Sequence, residues 1–190
     1  LLQEEAAMKD RPKQSDIVEL NHDNLKDVNA TDNAFEVKSR IIPYIEDGIF
    51  RYKQEEMENS YTKSYANDEL DYSTYIDNPE KIVYLAYAEN SPAGQIILRR
   101  NWNKYAYIED IRVGSRFRRA GIGTRLMEAA SNWAKKGHMP GVMLETQDTN
   151  VPACKFYESC GFKLGGVDVY LYIGITPRID EIALYWYIIF

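Results

Sequence analysis

YAYIEDIRVGSRFRRAGIG, residues Tyr105 to Gly123, is the stretch on which the reading of this chain turns. Tyr105, Tyr107, Glu109, Ile111 and Val113 alternate with Ala106, Ile108, Asp110 and Arg112, the period of a strand, in aromatic and β-branched company. Ile122, Leu126, Ala129, Ala130 and Trp133 then recur at helical spacing, and Gly137 offers a stop. The loop between them, Gly114 to Arg119, feeds Arg118 and Arg119 and then Gly121-Ile122-Gly123 into the first helical turn. Free amides at a helix N-terminus, glycines that admit a ligand and two arginines together suit a pyrophosphate. Taken alone, Arg-x-x-Gly-x-Gly is equally a glycine-bearing loop with solvated arginines.

Working outward, 190 residues with a net charge of −6 fit one domain, taken as 8–190. Leu1 to Ala7 precede Met8, which reads as a natural start, so 1–7 are expected to be an added segment. No apolar run reaches the roughly 18 residues of a membrane span and no signal-peptide pattern is present, so no membrane partner and a cytoplasmic location are expected. The acidic balance argues against a nucleic-acid surface and is compatible with a cationic partner. Cys154 and Cys160 on one predicted helix are expected as free thiols, and two cysteines with His22 and His138 lack ligand spacing, so no metal is expected.

Before the central stretch, Ile17, Val18 and Leu20 predict a short strand, with a helix capped by Asn21 or Asp23 through Leu25 and Val28. Arg40 to Lys53 predicts a hairpin turning at Asp47-Gly48, with Pro43 placing its first arm at an edge. From Gln54 to Asn78 the chain is polar and tyrosine-rich, and between Glu46 and Glu80 ten acidic residues face three basic ones. Such a run reads either as a solvated face or as a mouth of rings and carboxylates for an amine, with Tyr72 and Tyr75 among its members. Ile82 to Ala88 and Gly94 to Arg99 predict two strands joined at Asn90-Ser91-Pro92, and Asn101 to Asn103 a turn. Gly141 to Thr146 predicts a strand, Val151 to Cys160 a helix with Pro152 in its first turn and Gly161 as its stop. Strand, helix and strand make a βαβ unit with parallel strands. Val167 to Ile173 and Glu181 to Ile189 predict two more strands, antiparallel across Thr176-Pro177. The fold class is therefore α/β (α+β), a mixed, mostly antiparallel sheet with one parallel pair and helices on both faces.

R118-R-A-G-I-G123 resembles the Q/R-x-x-G-x-G/A signature of the GNAT N-acetyltransferases, and Asn150 followed by A153-C-K-F-Y157-E-S-C-G-F162 resembles that family's later motif. The wording of YIEDI, PGVMLETQD, FYESCGF and EIALYWY is further similar to the streptothricin acetyltransferase branch, which acetylates an antibiotic amine. The resemblance implies that the parallel strands splay and that acetyl-CoA lies in the gap. The main chain of Ile111, Arg112 and Val113 would meet its pantetheine arm. Arg118, Arg119, Ala120, Gly121, Ile122, Gly123 and Thr124 would receive the pyrophosphate, with Asn150 and Lys155 also on the cofactor. Asn150 reads equally as a helix cap.

Acetyl transfer requires a neutral amine, so a proton must be removed from an alkylammonium of pKa near 10.4. Glu109 is the leading candidate base and also attracts the cation. Asp110, on the opposite face by strand alternation, is the second and Glu145 on the neighbouring strand the third. Tyr157 matches the family's tyrosine that protonates the departing thiolate, although it also falls on an apolar helical stripe. The expected function is acetylation of a primary amine of a small cationic antibiotic by direct transfer in a ternary complex, with streptothricin at its β-lysine group foremost. The alternatives are acetylation of a protein N-terminus or another small amine and, in a different class, a coenzyme A sensor without catalysis. A Rossmann site is disfavoured because the first Gly-x-Gly pair is missing. The chain is expected as a monomer or homodimer.

Overall fold

The computed structural model describes residues 16–67, 69–175 and 180–190. The first 15 residues and the Thr176-Pro177 turn lie outside them. The strands are β1 (Asp16–Glu19), β2 (Phe35–Glu46), β3 (Ile49–Lys63), β4 (Lys81–Ala88), β5 (Ser91–Arg100), β6 (Ala106–Val113), β7 (Gly141–Gln147), β8 (Lys163–Asp168) and β9 (Ala183–Ile189). The helices are α1 (Ile122–Lys136) and α2 (Val151–Ser159). Seven strands form one sheet in the order β1-β4-β5-β6-β7-β9-β8, and β2 and β3 form a separate two-stranded sheet. Every pairing in the large sheet is antiparallel except β6 with β7.

Alternation decides what each face buries. Ile96, Leu98, Ala106, Ile108, Val142, Leu144, Leu184 and Trp186 point to one side, where they meet Ile122, Leu126 and Ala130 of α1 and Cys154 and Tyr157 of α2. Both α-helices thus share one face. Gly123 shows how closely they approach, since a Cβ there would stand 3.0 Å from the Phe156 ring. The other face carries Val83, Leu85 and Ile97 under Leu20 and Tyr75, and its helical cover consists of two short 3-10 turns, Leu25–Asp27 and Tyr72–Tyr75. The helix expected from Asn21 through Val28 is only the first of these turns, because Asn21 and Asn24 side chains bond nearby backbone and compete with helical pairing.

The predicted hairpin is real but longer than its sequence signal. Asp47 and Gly48 both have positive φ, 52° and 75°, as a type I′ turn requires, and pairing runs back to Phe35 and Lys63. Residues 54–63, read as a polar connection, are strand. This hairpin packs beside α2, where Tyr52 stands edge-on to Trp186, and is bonded to the end of β7: Ile41 N–H donates to the Asp148 carbonyl at 2.8 Å and Arg40 pairs with the buried Asp148 carboxylate. Lys63 pairs with the buried Glu181. Near the C-terminus, β8 starts at Lys163, earlier than the expected Val167, and the chain after Asp168 leaves the sheet as a loop that turns at Tyr172–Gly174. The antiparallel pairing of the last two strands is as expected.

Candidate active site

Parallel pairing between β6 and β7 is confined to Ala106–Val142, Tyr107–Met143 and Ile108–Leu144. Beyond Ile108 and Leu144 the strands part, which leaves one backbone edge of β6 from Glu109 to Val113 without a strand partner. A cleft of about 980 Å³ fills the fork. Ile111, Arg112, Val113, Arg118, Arg119, Gly121, Ile122, Gly123 and Thr124 line one side, and Glu145, Gln147, Asn150, Phe156 and Tyr157 the other.

At the foot of α1 the backbone is shaped for an anion. Gly121 is the N-cap residue at φ 78°, Arg119 also has positive φ at 69°, and no side chain caps the helix. Alternating left-handed residues turn successive amides inward. A Cβ on Gly121 would meet nothing within 4 Å, so this glycine serves the bend and the open cleft, whereas Gly123 serves packing on Phe156. Arg118 is partly committed to structure: its Nε donates to the Val113 carbonyl at 3.1 Å and its Nη2 to the Ala34 carbonyl at 2.7 Å. Ala120 is exposed and does not line the cleft. Lys155 lies outside the cleft as well. Its Nζ donates to the Tyr52 hydroxyl at 3.0 Å and sits 4.7 Å over that ring, because its place on α2 faces the hairpin rather than β6.

The carboxylates at the fork are sorted by a feature that strand alternation does not anticipate. Ile97 faces Asp110 but Leu98 faces Ile108, so Glu109 is the extra residue of a β-bulge. Asp110 was expected opposite Glu109. Instead both point to the face away from α1 and α2. Glu109 accepts hydrogen bonds from Tyr75 Oη at 2.7 Å and Arg99 Nε at 2.9 Å. Asp110 accepts two from Arg112, at 2.9 and 3.0 Å, and one from Gln95 at 2.7 Å. Each is held by its own guanidinium.

Glu145 is different. It is the first β7 residue past the last parallel pair, it accepts a hydrogen bond from the Tyr172 hydroxyl, and no cation among the described residues pairs with it. Burial raises its pKa above the usual carboxylate range, an effect that the Tyr172 bond reduces. Tyr157 is buried between Phe156, Phe162 and Trp186, and burial holds its phenol well above the ordinary pKa, so it stays protonated at neutral pH. Asn150 lines the cleft and also caps α2, its Oδ1 accepting from Ala153 N–H at 3.3 Å, so the two readings of this residue are compatible.

Several residues around the fork carried no sequence signal. Tyr72 lines the cleft and Tyr75 reaches it through Glu109, while Tyr65 completes the wall by donating to Gln147 Oε1, and Tyr172 reaches Glu145 from a distant loop. Tyr65 belongs to the tyrosine-rich acidic segment, the one hint available. Cys154 and Cys160 are free; burial pushes the Cys154 thiol up to about 12, which makes it a poor nucleophile. Among the described residues no cluster of His, Cys, Asp and Glu could hold a metal, and no helix is long and apolar enough to cross a membrane.

Known proteins place this geometry in context. The chain is 43% identical over 171 residues to streptothricin acetyltransferase A of Bacillus subtilis (strain 168), covering 90% of this chain and 98% of that protein. It is 33% identical to a streptothricin acetyltransferase of Escherichia coli, covering 85% and 80%. A crystal structure from Bacillus anthracis str. Ames, assigned as a streptothricin acetyltransferase in complex with acetyl coenzyme A, superposes with a TM-score of 0.86 at 43% identity, covering 93% of this chain and 100% of that one. Residues 47–162 match the acetyltransferase (GNAT) family model. With the splayed strand pair and the left-handed loop at the foot of α1, the match over more than half of its length makes this chain a member of the GNAT acetyltransferase family.

Proposed function

We propose that this protein transfers the acetyl group of acetyl-CoA to a primary amine of a cationic antibiotic, streptothricin, at its β-lysine group. The observation that carries the reading is the fork: an open β6 edge, an amide-lined bend at one end and a half-buried carboxylate without a cationic partner among the described residues at the branch point. The relatives that cover most of this chain, by their names, support the antibiotic as acceptor.

The residues fit the cofactor. Gly121 leaves open space where a phosphate would lie, Arg119 supplies positive charge beside it, and the free edge of β6 offers main-chain partners to an extended arm. When bound, acetyl-CoA supplies the acetyl group as a thioester. Glu145 then accepts the ammonium proton, directly or through one water. It is the carboxylate best placed for this, since Glu109 and Asp110 are already paired with Arg99 and Arg112, whereas no cation among the described residues occupies Glu145. Glu109 and Asp110 are thereby recast from candidate bases to groups that shape the field at the fork. Tyr157, a protonated phenol at neutral pH, donates its hydrogen to the departing thiolate and is restored by the proton that the newly acylated nitrogen gives up. Direct transfer requires no covalent enzyme species, consistent with the poor nucleophilicity of Cys154.

The test is incubation with acetyl-CoA and either streptothricin or short peptides, reading thiol release and product mass. Thiol release with singly acetylated streptothricin is expected; release with peptides alone would overturn the acceptor. Glu145→Gln should lower turnover by roughly 10²–10⁴-fold while acetyl-CoA affinity is kept. A fully active variant would remove Glu145 from the chemistry.

A further inference from the structure

Besides Tyr157, four tyrosine hydroxyls reach the fork, and among the described residues three of them spend their hydrogen on the protein. Tyr65 donates to Gln147, Tyr75 to Glu109 and Tyr172 to Glu145. Tyr72 is the exception. It lines the cleft, it packs against the apolar cluster of Val83, Leu85 and Ile97, and its Oη receives a hydrogen bond, from Asn29 Nδ2 at 3.1 Å. No acceptor for its own hydrogen lies among the described residues.

The sense of that bond is fixed from beneath. Asn29 stands on Gln95, a β5 side chain only 1% exposed. The backbone N–H of Asn29 can only donate, and it does so to Gln95 Oε1 at 2.7 Å. Gln95 Nε2 is thereby left to donate, to Asp110 Oδ2 at 2.7 Å and to Asn29 Oδ1 at 2.8 Å, which uses both of its hydrogens. Asp110, paired with Arg112, can only accept. With its oxygen committed to Gln95, Asn29 presents its NH2 to Tyr72. Asn29 has φ 62°, a left-handed backbone for which asparagine is enriched. Turning over the Gln95 amide would set its NH2 against the Asn29 N–H and its oxygen against the Asp110 carboxylate, so the chain of bonds keeps one direction. A hydroxyl that accepts from Asn29 retains its hydrogen to give, and Tyr72 lies on the wall of the cleft.

We infer that Asn29 and Gln95 are positioning residues for the acceptor: they hold the Tyr72 hydroxyl as a hydrogen-bond donor turned into the cleft, where it binds a carbonyl or hydroxyl oxygen of the acceptor molecule. This deepens the acetyltransferase reading above and rests on it. Acetyl-CoA is assigned to the bend at Gly121 and the edge of β6, so the wall that carries Tyr72, Glu109 and Asp110 is left to the acceptor. The two carboxylates suit its cationic part but cannot donate to an oxygen, and Tyr72 supplies that donor. Tyr72 moves no proton in this account. Its loss therefore falls on KM rather than kcat.

The experiment is steady-state kinetics with streptothricin and saturating acetyl-CoA on the full chain, comparing wild type with Tyr72→Phe, Asn29→Asp and the double variant, each checked for folding by thermal unfolding. Asn29→Asp keeps the shape of the side chain and its bond from Gln95 but cannot donate, so Tyr72 turns its hydrogen toward the new carboxylate and away from the cleft. Each single variant is expected to raise the streptothricin KM roughly three- to tenfold, the factor of one neutral hydrogen bond, with kcat changed by less than KM. In the Tyr72→Phe background, Asn29→Asp should leave KM within about twofold, because the hydroxyl through which it acts is gone; this arm also reads the effect of the added charge by itself. If Asn29→Asp does not fold, Asn29→Gly keeps the left-handed backbone and removes the donor, and the same coupling to Tyr72→Phe is expected. The inference is overturned if KM is unchanged in folded Tyr72→Phe or in the folded Asn29 variant, if the two effects multiply in the double variant, or if kcat falls in place of KM. Wild-type protein that does not acetylate streptothricin would instead sink the reading underneath, an outcome visible before any variant is made.

Discussion

Replacing Gly121 and Gly123 by alanine, one at a time, separates a glycine that serves a ligand from one that serves the fold. Gly121 has φ 78° and open space where its Cβ would be, so Gly121→Ala costs backbone strain of about 1–2 kcal/mol and makes no clash. For a chain of this length, that is a loss of roughly 2–8 °C in Tm. Gly123→Ala keeps a relaxed backbone but places a methyl 3.0 Å from one Phe156 ring carbon and 3.2 Å from another. Overpacking of that kind costs about 1–3 kcal/mol, partly offset by the roughly 0.5–1 kcal/mol that alanine gains over glycine within a helix. Stability therefore does not tell the two apart. Affinity does, because the Gly121 methyl points into the cleft and displaces a phosphate oxygen from charge-assisted amide bonds worth about 1.5–3 kcal/mol. Calorimetry with acetyl-CoA should show a loss of roughly 10- to 150-fold for Gly121→Ala and only a few-fold for Gly123→Ala. A folded Gly121→Ala protein with affinity within about twofold of wild type would refute the assignment of this bend to the cofactor.

Three further outcomes are expected. Tyr157→Phe keeps the ring among Phe156, Phe162 and Trp186 and should retain acetyl-CoA affinity while turnover falls by roughly 10²–10⁴-fold, measured by single-turnover thiol release. Glu109→Gln should raise the streptothricin KM with little effect on kcat, and the wild-type rise of KM with salt, screened over about 10 Å at 0.1 M, should flatten in the variant. Glu145 has a folded pKa raised above its unfolded value, so the native state holds its proton more tightly and stability falls as pH climbs from the unfolded toward the folded pKa. Glu145→Gln should accordingly be more stable than wild type by about 0.5–2 kcal/mol near pH 7, with the gap closing near pH 4 in denaturant titrations.

Much of the fold was legible because its signals are local. The period of two from Tyr105 to Val113, the helical spacing from Ile122 and the Asp47-Gly48 turn each depend on near neighbours, and all three stand in the structure. Residues 54–63 were missed because the small sheet they join packs only in part against the molecule, so polar side chains fill both of their faces and no alternation shows. The bulge at Glu109 left no mark, since its cause is the register of β6 against β5, and neither strand alone contains that information. Lys155 comes to the cofactor only through the family resemblance, and its position on α2 turns it toward Tyr52 instead. The partners that sort the three carboxylates, Arg99, Arg112 and Tyr172, lie from two to 27 positions away, and only the folded chain says which acid each one meets.

The bulge also bears on how such a site can arise. On either side of Glu109 the strand keeps regular faces: Ala106, Ile108, Ile111 and Val113 belong to the helix side, and removal of Glu109 would leave that order continuous against β5. One added codon is therefore enough to hang a carboxylate at the branch point of a finished sheet, without moving a single neighbour to the wrong side. Acceptor chemistry in this architecture can be gained or discarded by insertion and deletion, a kind of variation that comparisons of aligned substitutions pass over.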